Sequence, residues 1–231
     1  LFLFGLQMEA EASKDAQLAR DSGKTQALII GDNSGLSKRL QAAFSERWQH
    51  EGGALAFFRH ADDQQQLPQL KKLSSNDNQL VFLALGADKA RIVRPYIATD
   101  VPIFATSQVY TGNDNTLLNN DLNEIRFVDM PWLLQFDHPA VMAYRQNRTI
   151  KNMDMERLYA LGIDAFRLMT HLLDPLFINE ISFDGVTGFV RAAPANQFIR
   201  EPVSAQFIQG QVQLLDIQRT IPASVAPQSE P

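Results

Sequence analysis

The 231-residue chain contains no cysteine, which excludes disulfides, thiolate metal sites and cysteine nucleophiles and suits a reducing cytoplasm and an oxidising periplasm equally well. Long apolar runs are missing too. The longest, Leu80 to Leu85, falls far short of the roughly 20 residues a membrane-spanning helix needs. Basic residues are scattered: 21 Lys and Arg against 26 Asp and Glu give a net charge of −5, and no cluster exceeds the Lys71-Lys72 pair. The basic stripe that neutralises phosphates is therefore absent, and no nucleic-acid partner is expected. The four histidines, His50, His60, His138 and His171, never fall three or four apart, so local metal-ligand spacing is lacking.

Motifs of nucleotide and hydrolytic chemistry are also missing. Gly31-Asp32-Asn33-Ser34-Gly35 has neither the G-x-G-x-x-G of dinucleotide folds nor the lysine-serine/threonine ending of a P-loop, and its serine stands one place too late for a nucleophile elbow. A strand-to-helix turn capped by Ser34 is the simpler reading. Asp62-Asp63, beside Gln64, Gln65 and Gln66, reads as a solvated helix start rather than an acid/base pair. No cofactor and no catalytic residue is expected. The chain opens on LFLFGL, too short for a signal peptide and without its basic flank or cleavage site, as in an excised or processed piece.

What is present is alternation. Apolar runs predict strands at Leu1 to Leu6, Ala27 to Ile30, Ala54 to Arg59, Leu80 to Ala84, Ile103 to Ala105 and Ile125 to Phe127. Helical periods lie between them, at Glu9 to Asp21, along the Leu36, Leu40, Phe44, Trp48 stripe, at Gln66 to Leu73 and at Ala87 to Tyr96. This is the pattern of βαβ units around a buried parallel sheet, an α/β class. The stretch 106–123 turns polar and rich in Asn and Asp, a candidate binding loop. Met155 to Leu173 predicts the longest helix, with Leu158, Leu161, Ile163, Ala165, Phe166, Met169 and Leu172 as the stripe to be buried. Strands at Gly185 to Val190, Pro202 to Gln209 and Gln211 to Leu215 follow, the last two a hairpin through Gly210. The tail, 220–231, is expected to fray.

In open parallel α/β sheets, ligands bind beyond the carboxyl ends of the strands. Those ends carry Asp32, Asn33 and Ser34; Gly86; Thr106, Ser107, Gln108 and Tyr110; and Asp129 and Trp132. Such a rim suits a small polar ligand, a sugar, peptide or amino acid, although loop ends of this kind also serve ordinary capping. Trp132, between Pro131 and Leu133-Leu134, reads more as an anchor for the chain than as a stacking platform.

Seven segments resemble a known family in order and spacing. They are FGLQMEAEA (Phe4 to Ala12), AFSERW (Ala43 to Trp48), IFATSQVYTG (Ile103 to Gly112), DLNEIRFVDMPWLL (Asp121 to Leu134), RLYALGIDAFRLM (Arg157 to Met169), GVTGFV (Gly185 to Val190) and R-x-x-x-x-A-x-F-x-x-G (Arg200 to Gly210). Together they are similar to the C-terminal domain of the LppC family. The resemblance implies a type I periplasmic binding-protein-like fold of two α/β lobes. Residues 1–8 and 139–182 would belong to lobe one and the hinge, 9–138 and 183–219 to a complete lobe two, and the first units of lobe one would lie outside this sequence. It also implies a lipoprotein of the outer membrane facing the periplasm, anchored through a lipidated cysteine that this sequence does not contain. Its role would be to bind and activate a bifunctional class A penicillin-binding protein in peptidoglycan synthesis, by contact and not by catalysis. The alternative is a solute-binding protein or sensor for a small polar ligand. An enzyme, built from Asp32, Ser34 and a histidine brought together by folding, is a distant third.

Overall fold

A computed structural model describes residues 1–59, 66–112, 115–145, 152–173 and 180–215. In chain order, helix α1 (Met8–Arg20) leads to strand β1 (Gln26–Gly31), α2 (Gly35–His50) and β2 (Ala54–Arg59). Next come α3 (Pro68–Leu73), β3 (Gln79–Ala84), α4 (Ala87–Val93), β4 (Ile103–Ala105), α5 (Thr116–Asn120) and β5 (Ile125–Asp129). The short helices α6 (Pro131–Leu134) and α7 (Pro139–Met142) precede α8 (Met153–Leu172). Five strands close the described chain: β6 (Ser182–Asp184), β7 (Phe189–Ala193), β8 (Gln197–Glu201), β9 (Val203–Ile208) and β10 (Gln211–Leu214).

The main sheet has the order β10-β9-β5-β4-β3-β1-β2. Strands β1 to β5 run parallel, with Ile29 registered between Phe57 and Phe82. β9 joins β5 antiparallel, and β10 joins β9 antiparallel. The β9–β10 turn has Gln209 at φ 52° and Gly210 at φ 73°, the doubly positive geometry that matches the twist of a two-residue hairpin.

Alternation along the parallel strands splits the core in two. Ala27, Ile29, Leu80 and Phe82 face α1 and α2, where Ala12, Ala16 and Ala19 let α1 approach closely and Leu40, Phe44 and Trp48 fill the layer. Leu28, Ile30, Val81 and Leu83 face the opposite layer, with Leu70, Ala90 and Val93. The Ser34 cap forms as expected, its Oγ accepting from the Ser37 amide at 3.1 Å. α3 begins at Pro68 rather than Gln66 because proline, lacking a donor, suits the first helical position. Helix α4 stops at Val93 and continues as a 3₁₀ turn through Pro95.

Strands β6, β7 and β8 make a separate antiparallel sheet. The expected first strand, Leu1 to Leu6, reduces to one bridge from Leu3 to Gln197 on that sheet. The expected strand Gly185 to Val190 starts only at Phe189. Residues before it turn tightly, and Gly188 sits at φ 127°, where an added Cβ would stand 2.2 Å from the Glu201 carbonyl oxygen.

Helix α8 departs most from expectation. Its inward residues are Glu156, Arg157, Ala160, Asp164 and Leu168, while Met155, Leu158, Phe166 and Met169 are 60%, 54%, 63% and 56% exposed. Leu158, Phe166 and Met169 of the expected stripe face outward, while Ile163 and Leu172 pack partly buried against the neighbouring clusters and the inner face gives Glu156, Arg157 and Asp164 to polar partners. Asp62-Asp63, His60 and the tail 220–231 lie outside the described residues.

Candidate functional site

The strand ends divide into an exposed ledge and a buried ionic cluster. On the ledge, the Asp32 carboxylate accepts from the Lys89 ammonium at 2.6 Å and from the Ser34 amide at 2.8 Å. Burial alone would raise this carboxyl, but Lys89 and Ser34 hold it down to about 2. Asn33 and Ser34 are exposed beside it. Gly86, also exposed, is the N-cap residue of α4, which carries Lys89.

The other rim residues turn inward. Asp129 and Trp132 are fully buried, as are Thr106 and Ser107, while Gln108 and Tyr110 are half-buried. Arg157, on α8, organises them. Its guanidinium meets Asp129 at 2.7 and 3.3 Å, the Ser107 carbonyl at 3.1 Å, the Tyr110 carbonyl at 3.0 Å and Asp154 at 3.0 Å. Burial opposes that charge, yet Asp129, with Glu11 and Asp154 behind it, holds the proton more firmly than usual. The Trp132 indole donates to Glu156 at 2.8 Å, which makes it an anchor between α6 and α8. The Tyr110 ring stacks on Phe127 at 5.5 Å.

A second buried pair ties the two sheets together. Arg200, on β8, donates to Glu11, on α1, at 2.6 Å, and the other Glu11 oxygen accepts from the Ser107 amide at 3.1 Å. Burial, and to a lesser degree the Asp129 charge, raises the Glu11 carboxyl despite Arg200. Asp164, fully buried on α8, accepts from the Val186 amide at 3.1 Å and from the Thr187 amide and hydroxyl at 2.7 Å each. This locks the loop before β7 onto the helix.

Sequence reading placed Ser107, Tyr110, Asp129 and Trp132 near one another and missed Glu11, Glu156, Arg157, Asp164 and Arg200. The available signal was confined to α8, where Glu156, Arg157 and Asp164 interrupt a largely apolar sequence; Glu11 stands among other polar residues of α1 and Arg200 in a mixed strand, and neither stands out. Six of the seven segments quoted above meet here: Glu11, Ser107, Asp129, Arg157, Val186 and Arg200 each come from a different one.

Two of the histidines are engaged away from the ledge. His138 pairs with Asp184 at 3.1 Å, and His171 stacks on Phe183. Among the described residues, no group of three or more His, Asp or Glu side chains could hold a metal ion, and no helix is long and apolar enough to cross a membrane.

The family model described as "LppC putative lipoprotein" matches residues 1–210. The chain belongs to the LppC family. Among LppC relatives, the penicillin-binding protein activator LpoA of Pantoea ananatis is 24% identical over 255 residues, covering 90% of this chain and 38% of that protein. LpoA of Haemophilus ducreyi is 25% identical over 221 residues, covering 91% and 37%. The chain thus spans under two fifths of the length of these relatives. The solved LpoA (YraM) C-domain from Haemophilus influenzae, a regulator of PBP1A, superposes with a TM-score of 0.77 at 21% identity, covering 94% of this chain and 69% of that one. A structure from Chromobacterium violaceum, described as a "putative branched-chain amino acid ABC transporter", gives a TM-score of 0.76 at 33% identity, covering 87% and 65%. The fold is therefore that of the LpoA C-domain and of periplasmic binding-protein-like structures: a mostly parallel sheet with flanking helices.

Proposed function

We propose that this LppC chain is part of a non-catalytic regulator that binds and activates a class A penicillin-binding protein on the periplasmic side of the outer membrane, its parent polypeptide held there by a lipid anchor. The observation that carries this is the use of the strand-end polar groups. Asp129, Trp132 and the carbonyls of Ser107 and Tyr110 are spent on Arg157 and Glu156 inside the fold. A cluster so engaged holds two sheets and α8 in one arrangement, which suits a surface that works by contact. The names of the relatives, activators and a regulator, support the same reading.

The proposed division, with 1–8 and 139–182 in lobe one and the hinge and 9–138 and 183–219 in lobe two, draws support from the outward apolar stripe of α8. A stripe of that size is more apolar than a solvated helix face requires. The ledge of Asp32, Asn33, Ser34 and Gly86, with Gln108, is the surface proposed for external contacts.

Titrating the immobilised protein with each class A synthase of its own organism tests the reading. Saturable binding to one of them is expected, and no binding to any overturns it. A small polar ligand at the ledge would instead stabilise the protein in a thermal screen of amino acids, muropeptides and sugars, by about 2.7 kcal/mol at a hundredfold excess over Kd. A flat screen is the expected result.

A further inference from the structure

A pocket of about 260 Å³ opens between α1 and the β4, β5 and β9 strands. Leu18, Phe104, Phe127 and Leu215 give it apolar walls, and Asp15 and Ser204 also line it. Asp15 is 1% exposed and Ser204 4%. Neither oxygen of the Asp15 carboxyl, nor the Ser204 hydroxyl, has a hydrogen-bond partner among the described residues. Buried polar groups of this kind are normally satisfied, so three orphaned oxygens in one pocket wall point to something that satisfies them.

We propose that this pocket binds a small primary monoamine with a short apolar body, its ammonium received by Asp15 and Ser204. The three oxygens are three acceptors, and an ammonium brings three donors. The apolar walls take the carbon chain. The volume lies below the roughly 300 to 1,000 Å³ of pockets for drug-sized ligands, which limits the body to a few carbons. Arg126, whose guanidinium stands 5.6 Å from the Phe104 ring centroid, also lines the pocket and disfavours a second cation, so a diamine fits poorly. Asp21 lines it as well, and Glu11 is the charged neighbour of Asp15 on its own helix. Burial, and after it the Glu11 charge, pushes the Asp15 carboxyl well up. A bound ammonium offsets that penalty and favours the ionised carboxylate.

The test uses isopentylamine as the probe and isopentanol as its uncharged counterpart, with amide chemical shifts of the full chain as the readout. Saturable shifts at Leu18, Phe104, Ser204 and Leu215 are expected with the amine, and at least about tenfold weaker binding of the alcohol, equivalent to about 1.4 kcal/mol. Asp15→Asn, checked for native circular dichroism, is expected to weaken the amine at least about tenfold. Leu18→Trp fills the pocket without touching the acceptors and is expected to abolish binding, which keeps the proposal open to refutation if Asp15→Asn does not fold. Equal binding of amine and alcohol, undiminished binding by either folded variant, or no saturable shift at these residues overturns it.

Discussion

Replacing Arg157 by methionine probes the buried cluster most severely. The guanidinium neutralises Asp129 at 2.7 Å, and it also supplies donors to two buried carbonyls, of Ser107 and Tyr110. Breaking a buried pair by removing one partner costs about 3–5 kcal/mol, because the remaining charge is left uncompensated. For a chain of this size that corresponds to a fall in Tm of roughly 6–20 °C, a large share of a typical total of about 5–15 kcal/mol. Replacing both partners, Asp129→Leu with Arg157→Met, removes the stranded carboxylate but not the two orphaned carbonyls, nor the Met130 amide that Asp129 accepts at 2.8 Å. Unsatisfied groups of this kind cost about 1–3 kcal/mol each, so the double variant is expected to recover only the part of the loss due to the stranded charge, without reaching the parent. Urea unfolding followed by circular dichroism measures all three. A single substitution costing under about 1 kcal/mol, or a double variant no better than the single, refutes the reasoning.

Other consequences follow from the same geometry. Asp164→Ala strips the loop before β7 of three bonds and is expected to cost roughly 2–5 kcal/mol, with faster hydrogen exchange at the Val186 and Thr187 amides. Asp32, held at about 2, contributes stability present above the unfolded carboxyl value of about 3.9 and lost as pH falls through its folded value. Lys89→Met is expected to raise that folded value in a carboxyl NMR titration and to flatten the loss. Asp15 has the opposite sign: its folded value is raised, so it costs stability as pH rises above the ordinary carboxylate range. Asp15→Asn is expected to be more stable than the parent at neutral pH, with the difference closing near pH 4.

The parallel half of the fold was legible because each strand announces itself. Ala54 to Arg59 and Ile103 to Ala105 were read to the residue, and the Ser34 cap was placed correctly. Such runs are apolar on both faces, and Gly, Pro and polar turns bound them. The family was legible too, from motifs such as DMPWLL and RLYALGIDAF. Helix α8 was legible in extent but not in orientation. Periodicity separates an apolar face from a polar one without saying which looks inward, and here Arg157 and Asp164 turn the polar side in. Local pattern also could not anticipate that Leu3 adds to β8, nearly the full chain away, or that Glu11 meets Arg200. The site residues were half legible for the same reason. Strand-end position identified Ser107, Asp129 and Trp132, while their partners lie on helices that the sequence alone leaves unplaced.

Glycan-strand synthesis by a purified class A penicillin-binding protein, with and without this protein and with no other additive, tests the central claim most directly. An increase in polymerisation or transpeptidation that saturates with added protein is predicted. An unchanged synthase rate, or turnover of peptidoglycan by this protein alone, contradicts the account.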